Sequence, residues 1–369
     1  MAGWQPPAPA RVVFASLKGG VGRSTALAVL AADLARDNKN VLVVDLDLEA
    51  PGIGTMLVGQ ANRPQYGVLD WMVESNLHDV DAEFMAQMIA PSDFTSGRGI
   101  IDVVPAVGTA SDRQPYNVLS KLARAYLEDE REGLGTTFLA KVGKLLDSLT
   151  ARRPYDAILV DARAGLHETT AASILGLGAD VLFFGMNTSQ TFESYRFLFA
   201  QMRDVLSAQD VSHGLDALSD NNGADADSVK TGDALEPSQV FIRRLKFVHA
   251  KSAKDDVAQV RFRDKLHGLF SDFLYKSESF DFDLTPDGIP DIVFHPEYSL
   301  DDETAPHYAW PIYGSTLYAE FDPFAESDRE SDNPVWGNLH QLDPSNYEEA
   351  FGPFLDKVRE RIRLPRGGI

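Results

Sequence analysis

"SLKGGVGRST", residues 16–25, stands between an apolar run, "RVVFA" (11–15), and a stretch in which Leu27, Leu30, Ala31, Leu34 and Ala35 recur at helical spacing. The apolar run reads as a short strand, and Ser24 and Thr25 open the helix that follows. Between them lie glycines at 19, 20 and 22, where the missing Cβ lets backbone N–H groups come close to a bound anion. Strand, glycine turn and helix N-terminus in that order predict a phosphate-binding loop, with Gly19, Gly20, Val21, Gly22, Arg23, Ser24 and Thr25 as its cradle. Ser24 stands where a hydroxyl would coordinate Mg²⁺, and Thr25 where one would reach an α-phosphate. A merely tight connection is the alternative reading; two acid-tipped strands further along weigh against it.

The first of these strands is "NVLVVDLD" (40–47), an apolar run ending in acids, as a buried parallel strand does when its carboxyl end meets a site. "IIDVVPA" (100–106) is a third strand, and residues 116–150 read as mostly helical with a break at Gly133 and Gly135. "YDAILVDARAG" (155–165) is again an apolar strand tipped by an acid. A short helix then leads to "ADVLFFGMN" (179–187), and "SQTFESYRFLFAQMRDVL" (189–206) reads as another helix. This alternation predicts an α/β fold, a mostly parallel sheet with helices on both faces.

Residues 1–369 are expected to form one domain behind a tail at 1–10. Residues 214–237 hold six acids and one lysine and predict a solvated, mobile insertion. "VFIRRLKFVHA" (240–250) resumes the sheet, and "DIVFHPEYSL" (291–300) offers a last strand. The region 275–344 reads as irregular loops. A final helix, 345–363, carries Phe351, Leu355, Val358 and Ile362 on one stripe.

Composition narrows the chemistry. The 369 residues contain no cysteine, which excludes disulfides, thiolate metal sites and cysteine-ligated clusters, and agrees with a reducing cytoplasm. The N-terminus has no basic region followed by an apolar run, and no stretch reaches the ~20 apolar residues that span a bilayer. A soluble, cytoplasmic chain is expected. A net charge of −21 argues against non-specific DNA binding, which depends on cations displacing counterions. The densest basic cluster, "FIRRLKFVHAKSAK" (241–254), reads as a solvated strand edge. His295 and His307 sit among carboxylates, but their spacing fits no strong ligand pattern, and a satisfied loop is the expectation.

"KGGVGRST" resembles the deviant phosphate loop of the MinD/ParA family of P-loop ATPases, in the SIMIBI class, whose usual form is KGGVGK followed by Ser or Thr. "VLVVDLDLEAPG" (41–52) is similar to that family's first switch, and "YDAILVDARAG" to its Walker B strand and second switch. With the arginine, "DLDLEAPG" and "DARAGLHE" resemble a KGGVGR-motif sub-group. The resemblance covers residues 11–52 and 155–187 and fades beyond 210. It implies ATP and Mg²⁺ as cofactors and a nucleotide-sandwich homodimer in which Lys18 reaches the partner's phosphates. It further implies that Asp45 helps hold the magnesium hydration shell, that Asp161 is the Walker B acid, and that Asp47 orients the attacking water. Gly165 would let the second switch move, and Asn187 would read adenine. Acids at strand ends also cap helices and turns, which stands as the alternative for Asp45, Asp161, Asp47 and Glu49.

Arg23 is the departure. Arginine keeps lysine's charge but is longer, planar and bidentate. Correctly placed it would stabilise developing charge, as arginine fingers do, at ~10³–10⁵ in rate. Misplaced, it would bind ATP and hydrolyse it slowly. The implied function is a slow ATPase switch that controls a partner protein. The alternative is a nucleotide-bound scaffold in a larger bacterial complex, concerned with defence or signalling. A nitrogenase-type reductase lacks its cysteines here, and the tyrosine-rich tail of a bacterial tyrosine kinase is missing after Tyr347. "FLDKVRERIRLPRGG" (354–368) has spacing suited to a membrane surface, but core packing is the expectation.

Overall fold

The apolar runs alternate with helices and line up side by side. The computed structural model describes residues 9–94, 99–126, 137–165, 174, 176–220, 237–275, 277–284, 290–296, 298–324 and 339–364. Its strands are β1 (Ala10–Ser16), β2 (Asn40–Asp45), β3 (Ala90–Pro91), β4 (Ile100–Val104), β5 (Ala157–Ala164), β6 (Asp180–Gly185), β7 (Leu245–Ser252), β8 (Ser277–Leu284), β9 (Pro290–Pro296) and β10 (Trp310–Tyr313). The helices among the described residues are α1 (Arg23–Arg36), α2 (Ile53–Leu57), α3 (Val68–Glu74), α4 (Ala82–Ala86), α5 (Thr109–Arg113) and α6 (Val118–Ala125). They continue with α7 (Phe138–Arg152), α8 (Ser189–Asp220), α9 (Pro237–Arg244), α10 (Asp256–Phe273) and α11 (Pro344–Arg361).

Eight strands form one sheet in the order β10-β7-β6-β1-β5-β2-β4-β3. The β1–β5, β1–β6, β2–β4, β2–β5 and β7–β10 pairs are parallel, and only the two-residue β3 runs antiparallel to its neighbour. The α/β class with a mostly parallel sheet is therefore present. β1, β2, β5 and β6 are buried almost throughout, as strands covered on both faces must be. Register then fixes the site: Asp45 at the end of β2 lies opposite Asp161 in β5, and Phe14 of β1 lies opposite Asp161 from the other side.

The chain divides into two compact units. One comprises residues 5–186, 248–253 and 310–369 and has its core where α1 and α11 pack with the sheet. The stripe foreseen on the last helix, Phe351, Leu355, Val358 and Ile362, is buried there, which accounts for its apolar face without a membrane. The buried Arg359 of α11 pairs with Asp33 at 2.6 Å and also with Asp37, at the carboxyl end of α1. Tyr347 donates to Asp33 Oδ1 at 2.9 Å and accepts from Arg36 Nη1 at 2.5 Å. The other unit, residues 187–247 and 254–309, is built on aromatic contacts, among them Phe199–Phe270 with ring centroids 4.8 Å apart and Tyr195–Phe247 at 5.1 Å.

Three expectations differ. Residues 240–244, expected as strand, lie in the helix Pro237–Arg244, with Pro237 at the helix start, where a missing N–H costs nothing. The basic cluster is no solvated edge: Arg244 and Lys246 are buried, and Lys246 Nζ donates to the carbonyls of Thr304 and, at 2.8 Å, Ala305. Residues 290–296 pair antiparallel with β8 in a separate two-stranded sheet, while the last strand of the main sheet is "WPIY", hidden in the stretch read as loops. Its proline is tolerable because β10 is an edge. Residues 214–220 continue α8 as helix; the rest of the acidic stretch to 236, the Gly133–Gly135 break, most of the short helix before 179 and the tail at 1–8 lie outside the described residues.

Replacing Arg359 by methionine leaves two carboxylates, one of them buried, without their partner, which costs ~3–5 kcal/mol for a broken buried pair. Urea unfolding of R359M should show that loss, whereas R361K, whose wild-type side chain is more exposed, should change stability by ~1 kcal/mol or less.

Candidate functional site: a glycine loop facing three carboxylates

The loop between β1 and α1 takes a conformation that only glycine adopts cheaply. Gly20 has φ of 73° and Gly22 of 85°, both left-handed. A Cβ built at 19, 20 or 22 would meet nothing within 4 Å, so the glycines serve backbone shape and leave an open face. Val21 is buried and anchors the turn, while Lys18 beside it is half-buried. Gly22 is the N-cap of α1, so the helix begins at Arg23, one residue earlier than Ser24. No side chain of its own caps it and its first turn holds no acid.

Arg23 turns into the sheet edge rather than out to solvent, with 8% of its surface exposed. Its Nη2 donates to Asp47 Oδ2 at 3.0 Å, and its Nε lies 2.6 Å from Asp161 Oδ1, close as an ion pair but poorly aligned as a hydrogen bond. Its Nη1 is buried with no acceptor. Burial alone would lower the guanidinium pKa, but the charge of Asp161, followed by the hydrogen bond and charge of Asp47, overcomes this and holds it above its ordinary value. Ser24 Oγ donates to the other oxygen of Asp161 at 2.6 Å. Burial raises the Asp161 pKa in spite of Arg23 and Ser24.

Asp45 is completely buried. Its oxygens accept from the backbone N–H of Asp47 at 3.0 Å and Gly52 at 3.3 Å, and Asp47 Oδ1 accepts from Ala50 N at 3.3 Å. These bonds shape the turn after β2. Burial and then the charge of Asp161 raise the Asp45 pKa well above the carboxylate range. Gly165, with φ of 108°, donates its N–H to Ser16 O at 2.9 Å and so ties the end of β5 to the end of β1.

The fold thus brings together Arg23, Ser24, Asp45, Asp47 and Asp161 beside the glycine loop, with Thr25 buried in the first turn of α1. Asn187 belongs to the other unit, where its Oδ1 accepts from Lys265 Nζ at 2.8 Å.

A family model described as "ParA: NUBPL iron-transfer P-loop NTPase" matches residues 9–93. An iron-sulfur cluster carrier protein of Pseudomonas fragi is 31% identical over 170 residues, 45% of this chain and 58% of that one. The septum site-determining protein MinD of Helicobacter pylori is 30% identical over 164 residues, 44% of this chain and 48% of that one. The matched stretch is similar to MinD/ParA-like P-loop NTPases. It spans about half the length of the curated relatives it matches. Among solved structures, that of pNOB8 ParA bound to nonspecific DNA aligns with 96% of this chain and 99% of its own, at 15% identity and a TM-score of 0.47.

One contact beside the loop escaped the sequence reading. Arg163 Nη1 donates to Glu49 Oε1 at 2.5 Å and joins the turn after β2 to the end of β5. Tyr126 lies against the pair: burial, then the Glu49 charge, pushes its pKa up to about 12. The signal was available, because residues 161 and 163 of one strand share a face. Among the described residues no group of three or more His, Cys, Asp or Glu side chains is arranged to hold a metal.

His307 is a satisfied loop residue. It accepts from Tyr275 Oη at Nδ1, 2.6 Å, and so carries its proton on Nε2, which donates to Leu300 O at 3.1 Å. The His295 side chain lies outside the described residues. Burial pulls the His307 pKa from 6.5 to about 4. The unfolded ring takes up its proton near 6.5 and the folded ring only near 4, so this contribution is full above pH 6.5 and is lost as pH falls toward 4. Melting temperature followed down that interval should fall more steeply for the wild type than for H307Q; parallel curves would remove the ring as the titrating group.

Proposed function

We propose that this P-loop NTPase binds ATP with Mg²⁺ at the glycine loop and acts as a slow ATPase switch, as a homodimer that controls a partner protein. The observation that carries the reading is the buried, acceptor-less Nη1 of Arg23 beneath a loop whose glycines leave an open face. A phosphate oxygen is the acceptor that donor lacks, and a guanidinium fork suits phosphate geometry.

The donor set fits a hard cation that keeps part of its water. Ser24 Oγ and Asp161 are already adjacent, and Asp45 would help hold the hydration shell. The bound cation would supply charge neutralisation on the β- and γ-oxygens. Everything else is the chain's own work. Backbone N–H groups of residues 19–25 receive the phosphates, Arg23 grips oxygens of the terminal pair, and Asp47 orients the attacking water. Lys18 reaches across to the partner's nucleotide. To move a population from 1:99 to 99:1 the γ-phosphate must contribute ~5.5 kcal/mol of differential binding, which two or three charge-assisted hydrogen bonds can provide.

A non-hydrolysing scaffold is the second reading, favoured by one contact: Arg23 holds Asp47 at 3.0 Å and so engages the carboxylate that would orient water. An iron–sulfur role would need other ligands, since the chain offers no thiolate. DNA binding of the kind named for pNOB8 ParA sits badly with a charge of −21 and with the burial of Arg244 and Lys246. No helix among the described residues is long and apolar enough to cross a membrane, and a cytoplasmic site of action accords with the lack of cysteine.

Steady-state phosphate release should fall ~10²-fold or more in D47A, the scale of losing a positioned base, and should change in R23K. Equal rates in wild type, R23K and D47A would favour the scaffold. Sedimentation with ATP and Mg²⁺ should show a dimer that K18A weakens.

A further inference from the structure

Three buried acids converge on the loop, and Arg23 touches two of them. Its guanidinium takes Asp161 Oδ1 while Ser24 takes Asp161 Oδ2, so both oxygens of that carboxylate are engaged from within the chain. The same guanidinium holds Asp47 through Nη2, and Nη1 points at no acceptor. Asp45 is committed to two backbone N–H groups. Charges buried to this depth need a counter-ion at hand, because an uncompensated buried charge is strongly destabilising. A planar fork can bridge two carboxylates at once, which the point charge of an ammonium group cannot do as well.

We propose that Arg23 is a built-in counter-ion that keeps free divalent cation away from Asp161 until a phosphate chain draws the guanidinium off the two aspartates. The proposal rests on the nucleotide reading above and adds an order of loading to it. In the nucleotide-free protein Arg23 fills the electrostatic role of a cation between Asp47 and Asp161. Phosphate oxygens satisfy Nη1 first and then compete for Nη2 and Nε. As the fork leaves, Asp161 becomes available beside Ser24, and Asp47 is freed to act on water. Metal alone therefore finds no site, and the hydrolytic carboxylate is withheld until the nucleotide is seated. The turn after β2 and the tip of β5, joined by Glu49 and Arg163, lose one of their ties in the same event. Nucleotide occupancy is thereby converted into a change at the two segments that resemble switches.

The test compares melting temperatures of the full chain in MgCl₂ alone, in ATP with EDTA, and in ATP with MgCl₂, for wild type, R23A and R23M. The wild type should not respond to MgCl₂ alone and should respond to ATP with EDTA. R23A should gain a rise of ~2 °C or more in MgCl₂ without nucleotide, and adding Asp161→Asn should abolish that gain. R23M, which keeps the apolar stem and drops the charge, carries the same expectation should R23A fold poorly. A wild type stabilised by MgCl₂ alone as much as R23A would overturn the proposal, as would folded R23A and R23M that ignore the salt. Loss of every response to ATP in the wild type would instead defeat the nucleotide reading, while the MgCl₂ contrast between wild type and variants would still be read.

Discussion

A single guanidinium between two buried aspartates sets the terms for the rest of the sheet edge. Asp161 can be buried in β5 because Arg23 and Ser24 engage its oxygens, and Asp47 can be drawn under the loop because the fork reaches it too. The parallel register adds Asp45 directly opposite Asp161. Burial raises the pKa of both acids, helped at Asp45 by the charge of Asp161, while Asp161 and Asp47 hold the arginine's above its ordinary value. Charges so close in a dry setting interact far more strongly than they would in water. The balance therefore changes sharply when any one of them finds another partner.

The far end of the same helix is built the opposite way. α1 carries Arg23 at its first position and ends in Asp33 and Arg36, which Arg359 and Tyr347 of α11 hold in a closed polar network. Almost every residue between is buried. A helix of fourteen residues is ~21 Å of stiff rod, and here one end is clamped. The arginine can then change partners by rotating about its own side-chain bonds, while its backbone stays fixed. In the exchange proposed above, a rigid platform under the side chain would keep the swap of ion pairs local until the turn after β2 and the end of β5 respond.

How much of this could be read from residues alone depends on the kind of signal. "RVVFA", "NVLVVD" and "AILVD" announce buried parallel strands because nothing polar interrupts them, and the acids at their ends mark the carboxyl edge. The loop glycines at 20 and 22 are legible because their positive φ leaves little else possible. "VFIRRLKFVHA" misled because a β-rich, basic composition hid a helix-to-strand change at Arg244 and a lysine whose partners are carbonyls some sixty positions away. "WPIY" escaped because four residues carry too little pattern to stand out among proline and aromatic loops. The Arg23 contacts were invisible for a deeper reason: spacing tells which groups share an edge, and only packing tells whether a cation faces the ligand or the acids.

That distinction bears on what an arginine at this position means. With a compact ammonium at the head of α1, one carboxylate at most is matched closely, and the others must rely on hydrogen bonds or a metal. A guanidinium on a long stem matches two and leaves a third edge unpaired. The exchange from lysine to arginine thus alters how the carboxylates are paired at least as much as how a phosphate would be held. Tight pairing of Arg23 with Asp47 and Asp161 lowers the free energy from which binding would start, so a nucleotide must offer better partners than these two already do. A fork that met that condition would make a P-loop NTPase hard to load with metal alone and slow to act by chance, with its carboxylates released only as the phosphates arrive.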